Sequence, residues 1–408
     1  MPTFPTPHNN TRLGFHYYPD LDHYSDRDLR TWIPELHRLG ASWITLIAPP
    51  DRAIPEPFLH GLLSEGIEPV LHFPLSFDSF PTTRDLTFLF DNYARWGIHY
   101  IVLFDRPNSQ LVWPTTSWAQ THLVERFLDH YIPLAEIALH TGLTPVFPPL
   151  EPGGDYWDTA FLRAALESLQ RRGQSILTEN MVISAYASAG ERPLNWGSGG
   201  PDRWPGVRPY YTPPGEEDQL GFHIFDWYLA ITKAVLGFSS PILLFKAGSY
   251  PTMSQSTKFR KLESNTHVLR NLAIAKSLIA STQPNNLTYM DKSTLTALAP
   301  IPSQVLGCNF WLLTSSAKSP QMSHAWYKPN GEKLAVVDAL VDWNSRRKST
   351  EETREKFDGK DGMSIAPNSF KEMTLPTSAD YYPIYTGWFE NETHLSRNYY
   401  KEAMVQPN

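Results

Sequence analysis

One cysteine, Cys308, stands in 408 residues. A lone cysteine excludes an internal disulfide and any zinc site built on a cysteine cluster. It lies in an apolar run, so a buried small hydrophobe is its expected role. No uninterrupted apolar stretch reaches the roughly 18 residues that mark a transmembrane helix, and no membrane partner is expected. The net charge of -7 comes without a basic stripe, so the footprint of a nucleic-acid partner is missing. The opening MPTFPTPHNN has neither a basic nor an apolar signal region. No signal peptide is expected, and a cytoplasmic location is the default. Histidines at metal-ligand spacing are absent, as are a G-x-S-x-G elbow and a G-x-G-x-x-G turn after the first strand. Neither metal nor cofactor is expected.

Aromatic residues and proline are plentiful: 13 Trp, 19 Tyr and 36 Pro. On loops, such rings suit stacking against sugars or flat ligands. In a core, they are simply large side chains. Position decides between the two.

The chain alternates strand and helix from end to end. RLGFHYYP (Arg12–Pro19) reads as a strand entering a loop. Ser25-Asp26-Arg27-Asp28 is a capping-box pattern, with Leu29, Trp32, Ile33, Leu36 and Leu39 at helical spacing and Gly40 as the stop. Further strands are expected at Ser42–Ala48, Ile67–Phe73, Ile98–Phe104, Leu143–Phe147, Met181–Tyr186, Pro241–Phe245 and Val305–Leu313. Helices are expected at Glu56–Ser64, Thr83–Trp96, Trp118–His140, Asp158–Arg171, Gly221–Leu236, Ser264–Ala280 and Lys333–Val341. Eight such units without a hairpin signal predict an α/β fold, a (β/α)8 TIM barrel over residues 12–343. An open doubly wound sheet is the runner-up. Residues 1–11 form an N-terminal arm. The loop Ala187–Gln219 after strand six is too long to be structureless and is expected to be an ordered cover. Residues 344–408 read as a charged linker followed by an aromatic C-terminal extension, which could serve self-association.

The stretch IHYIVLFDRPNSQLVW (Ile98–Trp113) is central, because ligands of such barrels bind at the C-terminal strand ends. Strand ends gather His16, Tyr17, Tyr18, His72, Asp105, Arg106, Asn108, Glu151, Asp155, Tyr186, Lys246, Asn309 and Trp311 at one face. Trp113, Trp157, Trp196, Trp204 and Trp326 lie on nearby loops. The competing structural reading is a rim of ion pairs and satisfied histidines, with the loop tryptophans as core.

The strand-four pattern Leu103-Phe104-Asp105-Arg106-Pro107-Asn108 resembles that of the TIM-barrel glycoside hydrolase superfamily, which carries Asn-Glu-Pro there. Leu243-Leu244-Phe245-Lys246-Ala247-Gly248 is similar to its strand-seven pattern, and Phe310-Trp311-Leu312 to its strand eight. The resemblance spans roughly residues 12–343 through short motifs. It implies retaining hydrolysis by two glutamates, which need a separation of about 5–5.5 Å. In register, the acid/base position falls at Arg106 and the nucleophile position at Lys246. A guanidinium is no acid at neutral pH, and an ammonium forms no glycosyl ester.

The expected function is therefore a glycoside-hydrolase-like protein that recognises carbohydrate without the usual retaining catalysis. His16, Tyr18, His72, Arg106, Asn108, Trp113, Tyr186, Trp196, Lys246 and Trp311 are the candidate ligand-binding residues. Arg106 and Lys246 suit an anionic sugar. An active glycosidase using Asp105 and Glu151 is one alternative. A structural or assembly protein using the barrel as a scaffold is the other.

Overall fold

The computed structural model describes residues 3–78, 83–251, 257–280, 298–299 and 301–358. Met1–Thr353 form one compact unit and Arg354–Asn408 a second. The elements of the first half are β1 (Leu13–His16), α1 (Asp26–Leu39), β2 (Trp43–Ile47), α2 (Glu56–Ser64), β3 (Glu68–Phe73), α3 (Thr83–Arg95), β4 (Tyr100–Leu103), α4 (Thr115–Trp118) and α5 (Leu123–Thr141). They continue with β5 (Thr144–Phe147), α6 (Asp158–Arg171), α7 (Ser175–Asn180), β6 (Val182–Ser188), α8 (Gly200–Arg203) and α9 (Ile224–Leu236). The last are β7 (Ile242–Gly248), α10 (Thr257–Ala280), β8 (Val305–Phe310) and α11 (Ala335–Asp358). The eight strands close into a parallel barrel in chain order, with β1 paired to both β2 and β8. The fold is the (β/α)8 TIM barrel.

Side-chain alternation along each strand explains the barrel's two cores. Trp43, Val70, Tyr100, Val102, Val146, Val182, Leu243 and Phe245 form one cluster. Their strand neighbours Ile44, Leu46, Leu71, Ile101, Leu103, Ile183 and Leu244 belong to a second cluster with the helices. Strands buried on both faces therefore read as continuous apolar runs. The capping box forms as expected: Asp28 N–H donates to Ser25 Oγ at 3.3 Å, and Ser25 N–H to Asp28 Oδ2 at 3.0 Å. Gly40 closes α1 at φ 76°, a left-handed conformation that glycine adopts without penalty.

The N-terminal arm belongs to the barrel's construction. Phe4 packs on the inner cluster. Tyr100 OH donates to Pro5 O at 2.5 Å, and Trp43 Nε1 to Asn10 Oδ1 at 2.8 Å. Tyr100 and Trp43 sit at the N-terminal ends of β4 and β2, so the arm packs against that end of the barrel.

Several elements differ from expectation. The helix expected over Trp118–His140 is two pieces, because His122 takes a left-handed φ of 60° ahead of α5. α7, six residues long, went unread because so short a segment carries little periodicity. The helix expected over Lys333–Val341 runs on to Asp358. Its charged continuation is helical, where the sequence suggested a linker or exposed helix. The aromatic end of the C-terminal extension lies outside the described residues. None of the described helices is long and apolar enough to cross a membrane.

The loop after β6 is held by two buried carboxylates. Asp218 accepts from Trp196 Nε1 at 2.8 Å, Thr212 Oγ1 at 2.8 Å and Leu220 N–H at 3.0 Å, and also pairs with Arg192. Asp158 accepts from Gly153 N–H, Gln219 Nε2 and Tyr228 OH at 3.0, 2.7 and 3.0 Å. It thus ties the loop after β5 to the end of the long loop and to α9.

Candidate functional site

The C-terminal strand ends bring Asp105, Arg106, Glu151 and Tyr186 into one network. Arg106 Nε donates to Asp105 Oδ2 at 3.1 Å, while its Nη1 lies 3.6 Å from Glu151 Oε2. Tyr186 OH donates to the other Asp105 oxygen. One guanidinium therefore serves both carboxylates. Burial alone would raise the Asp105 carboxyl. The charges on Lys246 and Arg106, with the Tyr186 hydrogen bond, hold it below its ordinary value. Asp105 is thus an anion at neutral pH. Burial and that anion push the Tyr186 phenol well up, so it stays a donor.

Lys246 rises beside this network from β7. Its Nζ lies 4.4 Å from the Tyr186 ring centre and 5.1 Å from that of Trp311. No described residue accepts a hydrogen bond from it. Such contacts favour the ammonium by about 0.5–2 kcal/mol each. Burial and Arg106 act against the charge, while Asp105 and Glu151 support it; the net direction is down.

The two histidines work on the backbone. His72 Nε2–H donates to Phe104 O at 2.9 Å. His16 Nε2 accepts the Lys246 main-chain N–H at 2.9 Å, which puts the His16 proton on Nδ1. Phe104 and Lys246 both have positive φ, 71° and 42°, and Arg106 follows at 49°. Left-handed non-glycine residues cost about 1–3 kcal/mol each and persist where surroundings fix them. Here the histidines do so at the ends of β4 and β7. Burial lowers both imidazoles, His16 well below its ordinary value, so both are neutral.

Asn108 is fully buried and structural. It donates to Glu151 O and Tyr156 O, each at 2.9 Å, and accepts Glu151 N–H at 2.8 Å. It fixes the loop that carries Glu151. Asp155 accepts from Gln110 N–H at 2.8 Å. Trp113 is buried, stacked on Phe77 at 3.8 Å, with Nε1 donating to Pro107 O at 2.8 Å. It is a buttress of the Asp105 loop with little open face. Trp196 lies under Arg192 and is tied to Asp218 in the long loop. Trp326, Tyr17 and Asn309 are core. Tyr18 is half-buried and stacks on His23 at 3.6 Å. Trp157 and Tyr210 pack together at 5.3 Å, and Trp204 is bound to Ser198 O within the long loop.

A cleft of about 410 Å³ opens beside the network, lined by Pro19, Lys246, Tyr250, Trp311, Gln321 and His324 among others. Of these, sequence reasoning named only Lys246 and Trp311. Tyr250 was within reach, four residues past Lys246, just beyond the end of β7; its OH donates to Lys246 O at 2.6 Å. His324 carried no local signal. A smaller cavity, about 260 Å³, is lined by residues of α5, α6, the turn ahead of α5 and the loop after β5, among them His122, Tyr156 and Arg171. Among the described residues, no group of three His, Cys, Asp or Glu could hold a metal ion.

No family model and no curated protein matches this sequence. Solved structures do. A family 39 glycoside hydrolase from the gut symbiont Bacteroides cellulosilyticus WH2 matches with TM-score 0.50 at 11% identity, covering 83% of this chain and 64% of that one. This chain thus spans less than two thirds of that protein. Xylanase 10B from Thermotoga maritima matches with TM-score 0.46 at 10% identity, covering 83% and 98%. The first of these shares the TIM-barrel fold of this chain. At these identities the likeness is one of fold.

Proposed function

We propose that this protein recognises carbohydrate at the C-terminal face of its barrel and does not cleave it by double displacement. The observation that carries the reading is the sharing of Arg106 by Asp105 and Glu151. A retaining site needs one carboxyl as acid and one as nucleophile across the bond. Here both strand-end carboxylates are committed to a cation, and Asp105 is held as an anion. Lys246 stands where the superfamily resemblance would put the nucleophile. Trp311 and Lys246 border the cleft, and the ammonium has no acceptor among the described residues. A sugar bearing a carboxylate or sulfate would supply that acceptor.

Calorimetric titration with matched neutral and acidic oligosaccharides tests this reading. Binding of the acidic members, weakened in Lys246→Met, is the expected result. No binding by any oligosaccharide would favour the scaffold reading. Glu151 is nearly half exposed, which gives the relocated-acid glycosidase its best support; product analysis in the same titrations tests it.

A further inference from the structure

We propose that Lys246 is an amine nucleophile that forms an imine with the carbonyl group of a small aldehyde or ketone bound in the cleft beside Trp311. This rests on the surroundings of Lys246 and not on the carbohydrate reading.

Three observations support it. First, Lys246 lines the cleft, and its Nζ has no hydrogen-bond acceptor among the described residues. Surface lysines spend their amines on solvent or ion pairs; this one is held over two rings. Second, both main-chain polar groups of Lys246 are bound by side chains. Its N–H goes to His16 Nε2 at 2.9 Å, and its carbonyl oxygen accepts from Tyr250 OH at 2.6 Å. With φ fixed at 42°, the point at which the amine emerges is set. Third, the Tyr186 and Trp311 faces that favour an ammonium favour an iminium equally.

The charged and titratable groups around it are Asp105 and Arg106 after β4, Glu151 after β5, Tyr186 on β6, and the neutral His16 and His72. Burial comes first among their effects and lowers the lysine, which increases the free amine available at a given pH.

The step balances without an oxidant or reductant. The Nζ lone pair attacks the carbonyl carbon, and the C=O π pair moves to oxygen, which is protonated. The nitrogen gives up one proton to form the carbinolamine, whose hydroxyl leaves as water after a second protonation; the resulting iminium then loses its remaining nitrogen proton. Amine plus carbonyl yields imine plus water. His324 lines the same cleft, and burial keeps it on the neutral side, so it offers an imidazole for these proton exchanges.

The full chain is incubated with glyceraldehyde or pyruvate and sodium cyanoborohydride, and lysine adducts are mapped by peptide mass. The expected result is reductive trapping at Lys246 about ten-fold faster than at any other lysine. The fast adduct should vanish in Lys246→Arg. Because the labelled position is read directly in the wild type, a misfolded variant leaves the test intact. Uniform labelling, with Lys246 no faster than surface lysines, overturns the proposal. Binding of methyl glycosides, which cannot open to a carbonyl, is measured in parallel. Its loss or presence bears on the carbohydrate reading alone.

Discussion

The main-chain N–H of Lys246 donates to Nε2 of His16 at 2.9 Å. An imidazolium has no lone pair to accept it, so the end of β7 depends on a neutral histidine. The native pKa of His16 lies well below 6.5, chiefly through burial. The unfolded chain therefore binds this proton at a higher pH than the native one. Stability contributed by neutral His16 is complete above about pH 6.5 and is lost as pH falls through the window below it, at up to about 1.4 kcal/mol per pH unit. Thermal midpoints from pH 7.5 to 5 should fall more steeply in wild type than in His16→Gln, which keeps an acceptor that does not titrate. Parallel slopes would contradict the role given to His16.

Arg106 holds Asp105 ionised from one side while Tyr186 holds it from the other. In Arg106→Met, the Asp105 carboxyl should titrate at higher pH than in wild type, since burial then acts with less opposition. Carboxyl-carbon NMR of the two proteins reads this directly. An unchanged titration would mean that the guanidinium does not set the charge of Asp105.

Asn108 joins three main-chain groups of the loop after β5. Asn108→Ala leaves them without that partner inside the protein. Loss of roughly 2–4 kcal/mol is expected, from an unsatisfied-group penalty of about 1–3 kcal/mol each with partial relaxation. Denaturant unfolding measures it, and a loss under about 0.5 kcal/mol would show that the loop finds other partners.

Asp218 gathers Arg192, Trp196, Thr212 and the Leu220 N–H. Asp218→Ala should expose the loop after β6 to limited proteolysis, with cuts between residues 187 and 219, while the barrel resists. Cleavage no faster than in wild type would argue against this latch.

The fold was legible because its signals are local. Strands such as Trp43–Ile47 are apolar on both faces, and Gly40 and Gly142 end helices in left-handed conformations. The capping box at Ser25 could be read from four residues. The site was legible only in part. Asp105, Arg106, Glu151, Tyr186 and Lys246 came from strand ends, which the barrel topology brings together. The tasks of His16 and His72 could not be read, because their partners are backbone atoms of distant strands. Trp113 looked like an open ring from its loop position, yet Phe77 covers it from another strand's loop. His324 reaches the cleft by tertiary folding alone.

The most direct test of the central claim is product analysis on a panel of neutral and acidic oligosaccharides that have first been scored for binding. Wild type should bind at least one member and release no reducing ends from it, and Trp311→Ala should weaken that binding by about 1–2 kcal/mol, roughly five- to thirty-fold. Cleavage by wild type that disappears in Asp105→Asn or Glu151→Gln would contradict the account and make this barrel an active glycosidase.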